Sequence, residues 1–135
     1  MTAHAVIETR TALIYLLDPG IIMVRIKKEI LQTLDDAEEN LSAAIRETSG
    51  QRRPLMLDLR QAMPLDDDIR RQYSGPRVVD NFSALGLVVD EGPFGRMMAN
   101  LYLRVADLAI PTRLFATEGE AIAWLLEHRS NVRSC

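Results

Sequence analysis

A single α/β domain on a mixed sheet of about five strands, opened by a β-hairpin and completed by about four helices, is what this sequence predicts. Two apolar, β-prone runs flank Asp18-Pro19-Gly20 near the start. Behind them the hydrophobic period switches repeatedly between strand and helix spacing, in the order β, β, α, β, α, β, α, β, α. Strands that alternate with helices pair in parallel through right-handed crossovers, whereas a short turn joins antiparallel neighbours. The first strand should therefore be antiparallel and lie at an edge.

The hairpin strands are TALIYLL, Thr11–Leu17, and IIMVRIK, Ile21–Lys27. Pro presets φ at the first central position of a tight turn and Gly accepts the positive φ of the second. From Thr33 the apolar residues Leu34, Ala37, Leu41, Ala44 and Ile45 recur at helical spacing, opposite Asp35, Asp36, Glu38 and Glu39. Thr33 can cap this helix, the early acids suit its positive end, and Ser49-Gly50 stops it. PLMLDL, Pro54–Leu59, reads as a buried strand, and a short helix follows over Leu65–Tyr73 with another turn or two over Pro76–Asn81. ALGLVVD, Ala84–Asp90, is the next strand. A second amphipathic helix runs from Phe94 to about Asp107, and IPTRLFAT, Ile110–Thr117, precedes a closing helix over Glu118–Arg129. The expected organisation is a tail over 1–10, one domain over 11–129 and a tail over 130–135.

Composition narrows the function classes. The chain has 135 residues, which suits one compact domain, and 47% hydrophobic content with 26% charge is ordinary for a protein that folds alone. Sixteen Lys and Arg against nineteen Asp and Glu give a net charge of −3, and the basic residues cluster only as short pairs. Phosphate-backbone binding needs a concentrated positive face, so a nucleic-acid partner is not expected. Cys135 is the only cysteine, so no intrachain disulfide can form, although an accessible terminal thiol could join two chains on oxidation. The N-terminus lacks the apolar core of a signal peptide, and no run reaches the roughly 18 apolar residues that span a bilayer. The expected compartment is the cytoplasm.

The stretch PLMLDLRQAMPLDDDIRR, Pro54–Arg71, raises the one question about chemistry. An aspartate at the end of a third strand can accept a phosphoryl group in a response-regulator receiver, but three of the four supporting parts of such a site, two acids, a hydroxyl and a lysine, are missing here. Hard cations want oxygens converging at alternating spacing around a turn, and Asp66, Asp67 and Asp68 are consecutive. These acids are better read as helix-capping groups. Asp58 is expected to pair with Arg60, Arg53 or a backbone amide. Neither His4 nor His128 has a partner at metal-ligand spacing, and no G-x-S-x-G elbow occurs. GPFGR, Gly92–Arg96, reads first as a strand-to-helix turn, with Arg96 as a candidate ligand contact. The helix after it carries Phe94, Met97, Met98, Leu101, Tyr102, Val105 and Leu108, which is either a well-buried helix or one with a second apolar edge for contacts.

The stretches LMLDLR and PTRLFATEGEAIAWLLEH, with the hairpin and alternation before them, resemble bacterial STAS-like proteins, which have the SpoIIAA-like fold of anti-sigma-factor antagonists and sulfate-transporter tails. The resemblance spans about Thr11 to His128 and rests on structural motifs. It implies a non-enzymatic regulatory domain that binds a protein. In the antagonists, a serine after the third strand is phosphorylated and switches binding; this chain has no Ser or Thr between Leu55 and Gln72. The expectation is thus a partner-binding surface without that switch, with Asp66, Asp67, Arg70, Arg71 and Tyr73 as contact candidates. The alternative is a small-molecule or lipid carrier with Arg60, Arg96 and Met97 at its site, since open α/β sheets bind ligands beyond their carboxyl strand ends. No cofactor and no metal are expected, and an apolar helix with an edge strand leaves a homodimer open.

Overall fold

The computed structural model describes residues 5–63, 65–90, 92 and 109–128. Within them a six-stranded sheet runs in sequence order: β1 Ile7–Glu8, β2 Ala12–Leu17, β3 Ile21–Ile26, β4 Arg53–Asp58, β5 Phe82–Val88 and β6 Thr112–Phe115. The pairs β1/β2 and β2/β3 are antiparallel; β3/β4, β4/β5 and β5/β6 are parallel. The helices described are α1 Leu34–Glu47, α2 Asp67–Gln72, α3 Pro76–Asn81 and α4 Glu118–His128. The predicted helix over 94–107 lies outside the described residues.

Three features differ from the sequence reading. The expected tail over 1–10 contributes a sixth strand, because Ile7 and Glu8 pair with Ile14 and Leu13. Thr9 and Arg10 also belong to the fold: the Thr9 hydroxyl donates to Asn40 Oδ1 at 2.5 Å, and Arg10 pairs with Asp36. The edge strand is therefore β1, and β2 sits one place inside. The hairpin turn uses the expected residues in shifted positions. Asp18-Pro19 is cis, and the Gly20 amide donates to the Leu17 carbonyl at 2.9 Å. Asp36, placed on the outer side of α1 by periodicity, is buried; its carboxylate accepts from the Thr33 amide at 2.8 Å while the Thr33 hydroxyl accepts from the Asp36 amide, completing a capping box.

Strand alternation divides the core between the two faces of the sheet. One set of positions, including Ile14, Ile22, Val24, Leu55, Leu57, Leu85 and Leu87, packs with Ala37, Leu41 and Ala44 of α1 and with Ile69, Tyr73 and Val78. The other set, Ile21, Met23, Met56, Ala84 and Val88, is covered by Ala121 and Leu125 of α4. That helix lies close to the sheet at Gly86, where a Cβ would stand 3.1 Å from the Leu125 side chain. Because side chains alternate, Tyr15, Arg25 and Asp58 fall on the α4 side. Arg25 and Asp58 are register neighbours at the carboxyl ends of β3 and β4.

Candidate functional site

The acidic stretch folds into a corner with two unlike sides. Asp66 occupies the N-cap of α2 in an extended conformation but makes no side-chain cap bond, so the expected capping role belongs to backbone position and dipole alone. The neighbouring acids turn to arginines one turn on: Asp67 pairs with Arg70, and Asp68 with Arg71 at 3.0 Å. Asp66, Asp67, Asp68 and Arg71 are exposed. Arg70 is buried and its guanidinium also donates to the Leu65 carbonyl.

Tyr73 closes the inner side. It is 1% exposed, and its hydroxyl donates to Gln32 Oε1 at 2.5 Å and accepts from Asn40 Nδ2 at 3.0 Å. Asn40 reaches onward to the Thr11 hydroxyl at 2.9 Å. Burial pushes the Tyr73 phenol well above its ordinary range, against the smaller effect of the Asn40 hydrogen bond. The network is neutral and ties α2 to α1 and to the β1–β2 connection. On the rim, Gln72 donates to Glu38 at 2.6 Å and Arg77 pairs with the same carboxylate.

A second polar constellation stands at the carboxyl ends of the parallel strands, on the other face. Asp58 is 4% exposed and receives a two-point hydrogen bond from Arg60, at 2.9 Å from Nε and 2.8 Å from Nη2, with the Arg60 amide at 3.1 Å. Arg25 reaches the same carboxylate from β3. Glu118, the first residue of α4, lays Oε2 between the two guanidiniums, 2.7 Å from Arg25 and 2.6 Å from Arg60, and the Tyr15 hydroxyl accepts from Arg25 at 3.0 Å. Burial alone would raise the Asp58 carboxyl, but the Arg60 hydrogen bonds and the two positive charges outweigh it and hold it below the ordinary range. The Arg25 hydrogen bond lowers Glu118 against a smaller desolvation effect. Two cations and two anions thus satisfy one another. A cavity of about 330 Å³ opens beside them, lined by Arg25, Ile26, Asp58, Arg60, Gln61 and Asp90.

Among the described residues, no group of three or more His, Cys, Asp and Glu side chains could hold a metal ion, and no helix is long and apolar enough to cross a membrane.

Residues 15–129 match the family described as Domain of unknown function (DUF7793). The chain belongs to the DUF7793 family. No curated protein matches it. Among solved structures it is similar to an uncharacterised protein of the DUF3478 family with a SpoIIAA-like fold from Shewanella loihica PV-4, with a TM-score of 0.54 and 12% identity over 91% of this chain and 92% of that one. The DUF7793 domain accordingly has a SpoIIAA-like fold, with the antiparallel opening and parallel continuation that the sequence predicts.

The predicted contact residues of this DUF7793 domain divide by depth. Asp66, Asp67 and Arg71 lie together on the outer side of the α2 corner, whereas Arg70 and Tyr73 face inward and cannot present a contact surface. The physical reason is the helix period: Ile69 and Tyr73, four residues apart, share the apolar stripe, and Arg70 beside them is held by Leu65 and Asp67. Arg60 stands in the charged cluster and lines the cavity. Arg96 and Met97 lie outside the described residues. Sequence reasoning missed Arg25, Glu118 and Tyr15. A charge near the carboxyl end of each of two apolar strands, Arg25 in IIMVRI and Asp58 in RPLMLD, was the signal that could have paired the first of these with Asp58.

Proposed function

We propose that this DUF7793 domain is a non-catalytic protein-interaction module that docks a partner on the α2 corner, without the phosphorylatable serine of the antagonists it resembles. The observation that carries the reading is the two-sidedness of that corner. Exposed charges at Asp66, Asp67, Asp68 and Arg71 ride on a helix whose inner side is anchored by Ile69 and the Tyr73–Asn40–Gln32 network. A surface held this rigidly loses little side-chain and backbone freedom on docking, which favours association. The absence of Ser and Thr from Leu55 to Gln72 means that its acidity comes from carboxylates and needs no kinase. Against catalysis stands the state of the other cluster, where Asp58, Glu118, Arg25 and Arg60 are committed to each other and none is left as a poised base.

The test is capture of a partner from source-cell lysate by the wild-type domain and by the triple variant Asp66→Lys/Asp68→Lys/Arg71→Glu. All three side chains are exposed, so folding should survive, which far-UV circular dichroism checks. The expected result is loss of the captured protein by the triple variant alone, with a control reversal at exposed Arg46, at the far end of α1, without effect. Equal capture by all would remove the α2 corner from the account.

A second reading, a small-molecule carrier, is supported by the cavity beside Arg25, Arg60 and Asp90 at the strand ends. A copurifying ligand that raises the melting temperature of the wild type and not of Arg60→Ala would favour it.

A further inference from the structure

The two ends of the sheet are finished differently. At one end β1 is two residues long. At the other, β6 is four residues long and, among the described residues, pairs only with β5, so it is the edge strand there. Leu114 packs toward the α1 face, and alternation sends Arg113 and Phe115 toward α4. There the edge strand and the helix bound a groove of about 480 Å³, lined by Arg113, Phe115, Glu120, Ala123, Trp124 and Glu127, among others. The Phe115 and Trp124 rings meet at 5.6 Å, and the Arg113 guanidinium stands 5.6 Å from the Phe115 centroid.

Among the described residues the charges of this groove enter no ion pair. Among the described residues Arg113 and Glu127 make no ion pair, and Glu120 is engaged only by Thr117 at the start of α4. A lone charge on an edge strand ordinarily guards it against pairing with other chains. Here the same groove also carries the opposite charges, so the guard becomes a partner when a second copy arrives in the right orientation.

We propose that the chain forms a two-fold homodimer by antiparallel pairing of β6 with β6 of a second copy. Side-chain parity restricts the register. Centring the dyad on Leu114 sets Arg113 beside the partner's Phe115, where α4 of that copy begins, and brings each guanidinium to the other chain's helix carboxylates. The arrangement is self-complementary, as a two-fold interface must be. A four-residue strand is too small for the roughly 800 Å² per partner of a stable interface, so the Trp124 flank of α4 is part of the contact. This surface is separate from the α2 corner, and the proposal does not depend on the function assigned to that corner.

Mass measured by sedimentation equilibrium from about 1 to 100 μM, in reducing buffer so that Cys135 cannot join chains, decides it. The wild type should approach twice its 15.2 kDa chain mass. Arg113→Glu and the double variant Glu120→Arg/Glu127→Arg should each dissociate at least about tenfold more readily, and an equimolar mixture of the two should dimerise again because every contact is then opposite in charge. Circular dichroism of each variant confirms the fold. A wild-type monomer throughout that range, a dimer indifferent to Arg113→Glu, or a mixture that fails to pair overturns the proposal.

Discussion

The two faces of the sheet are held by different physics. On the α1 and α2 face a broad apolar core surrounds a buried, uncharged hydrogen-bond network in which Tyr73, Asn40, Gln32, Thr9 and Thr11 meet. On the α4 face the buried apolar set among the described residues is smaller, and one helix lies against a glycine in the strand beneath it, with its first residue fixed by the Arg25–Asp58–Arg60–Glu118 cluster. Apart from the Arg10–Asp36 pair at the start of α1, the first arrangement depends on packing and on neutral hydrogen bonds, which salt and moderate pH leave alone. The second depends partly on charge at the edge of solvent, where both respond. The α2 corner is thus mounted on the more robust side, as the docking role proposed for it requires, while α4 is the element whose attachment is tunable.

The largest effect should come from the neutral network. Tyr73→Ala removes a buried aromatic ring and leaves Asn40 and Gln32 without the phenol, at a cost of about 3–5 kcal/mol. Urea unfolding measures this directly. A loss below about 1 kcal/mol would show that the network is not what anchors α2. Tyr73→Phe, which keeps the ring, should cost about 1–3 kcal/mol.

Next in size is the charged cluster. Asp58→Ala leaves Arg25 and Arg60 facing each other with only Glu118 between them. Breaking a buried pair costs several kcal/mol, but both guanidiniums are about a third exposed and screened, so about 2 kcal/mol is expected. The loss should shrink in high salt, and a salt-independent loss would contradict the electrostatic origin.

Acid separates the faces without mutation. Asp58 and Glu118 titrate below their ordinary values in the fold. Groups with depressed folded values contribute stability that is complete above the unfolded value near 4 and is lost as pH falls through the folded one. On the opposite face the Arg10 hydrogen bond, helped by Thr33 and opposed by burial, brings Asp36 down to about 2, so the α1 capping box persists to about that pH. Trp124 is the only tryptophan and sits on α4. Its emission should therefore change as the pH falls below about 4, before the far-UV circular dichroism does. Coincident transitions would mean that the two faces let go together.

The smallest effect is steric. Gly86→Ala places a methyl 3.1 Å from the Leu125 side chain, and a flexible leucine can yield by a few tenths of an ångström, so about 1 kcal/mol is expected. Pairing it with Leu125→Ala should recover part of that cost in a double-mutant cycle, and full additivity would place the close approach elsewhere.

Much of this architecture was legible because it rests on local signals. Thr33 and Ser49-Gly50 bracket α1, and the nearly continuous apolar runs IIMVRI and LGLVV mark strands buried on both faces. The two-residue β1 was illegible because so short a strand has no period of its own; its pairing with Ile14 and Leu13 defines it. Burial of Asp36 was illegible for a related reason. Periodicity assigns a carboxylate to the outside, and only the return of Arg10 from a distant part of the chain makes its burial affordable. At the α2 corner the exposed acids could be read directly, but the inward direction of Arg70 follows from a carbonyl at Leu65 that the helix start brings within reach. The Glu118 contacts with Arg25 and Arg60 span 93 and 58 positions. No local pattern joins residues so far apart, and only the common carboxyl end of the parallel strands does.

The central claim, a docking module for another protein, is tested most directly by native mass spectra of the DUF7793 domain recovered by affinity from its own source cells, before and after treatment with ATP. The account predicts a discrete added mass of protein size, different from one or more further 15.2 kDa copies of the chain, that survives ATP, since the acidity of the α2 corner is built from carboxylates and not from a phosphorylated serine. A bound small molecule with no added protein would contradict it and give the strand-end cavity the leading role.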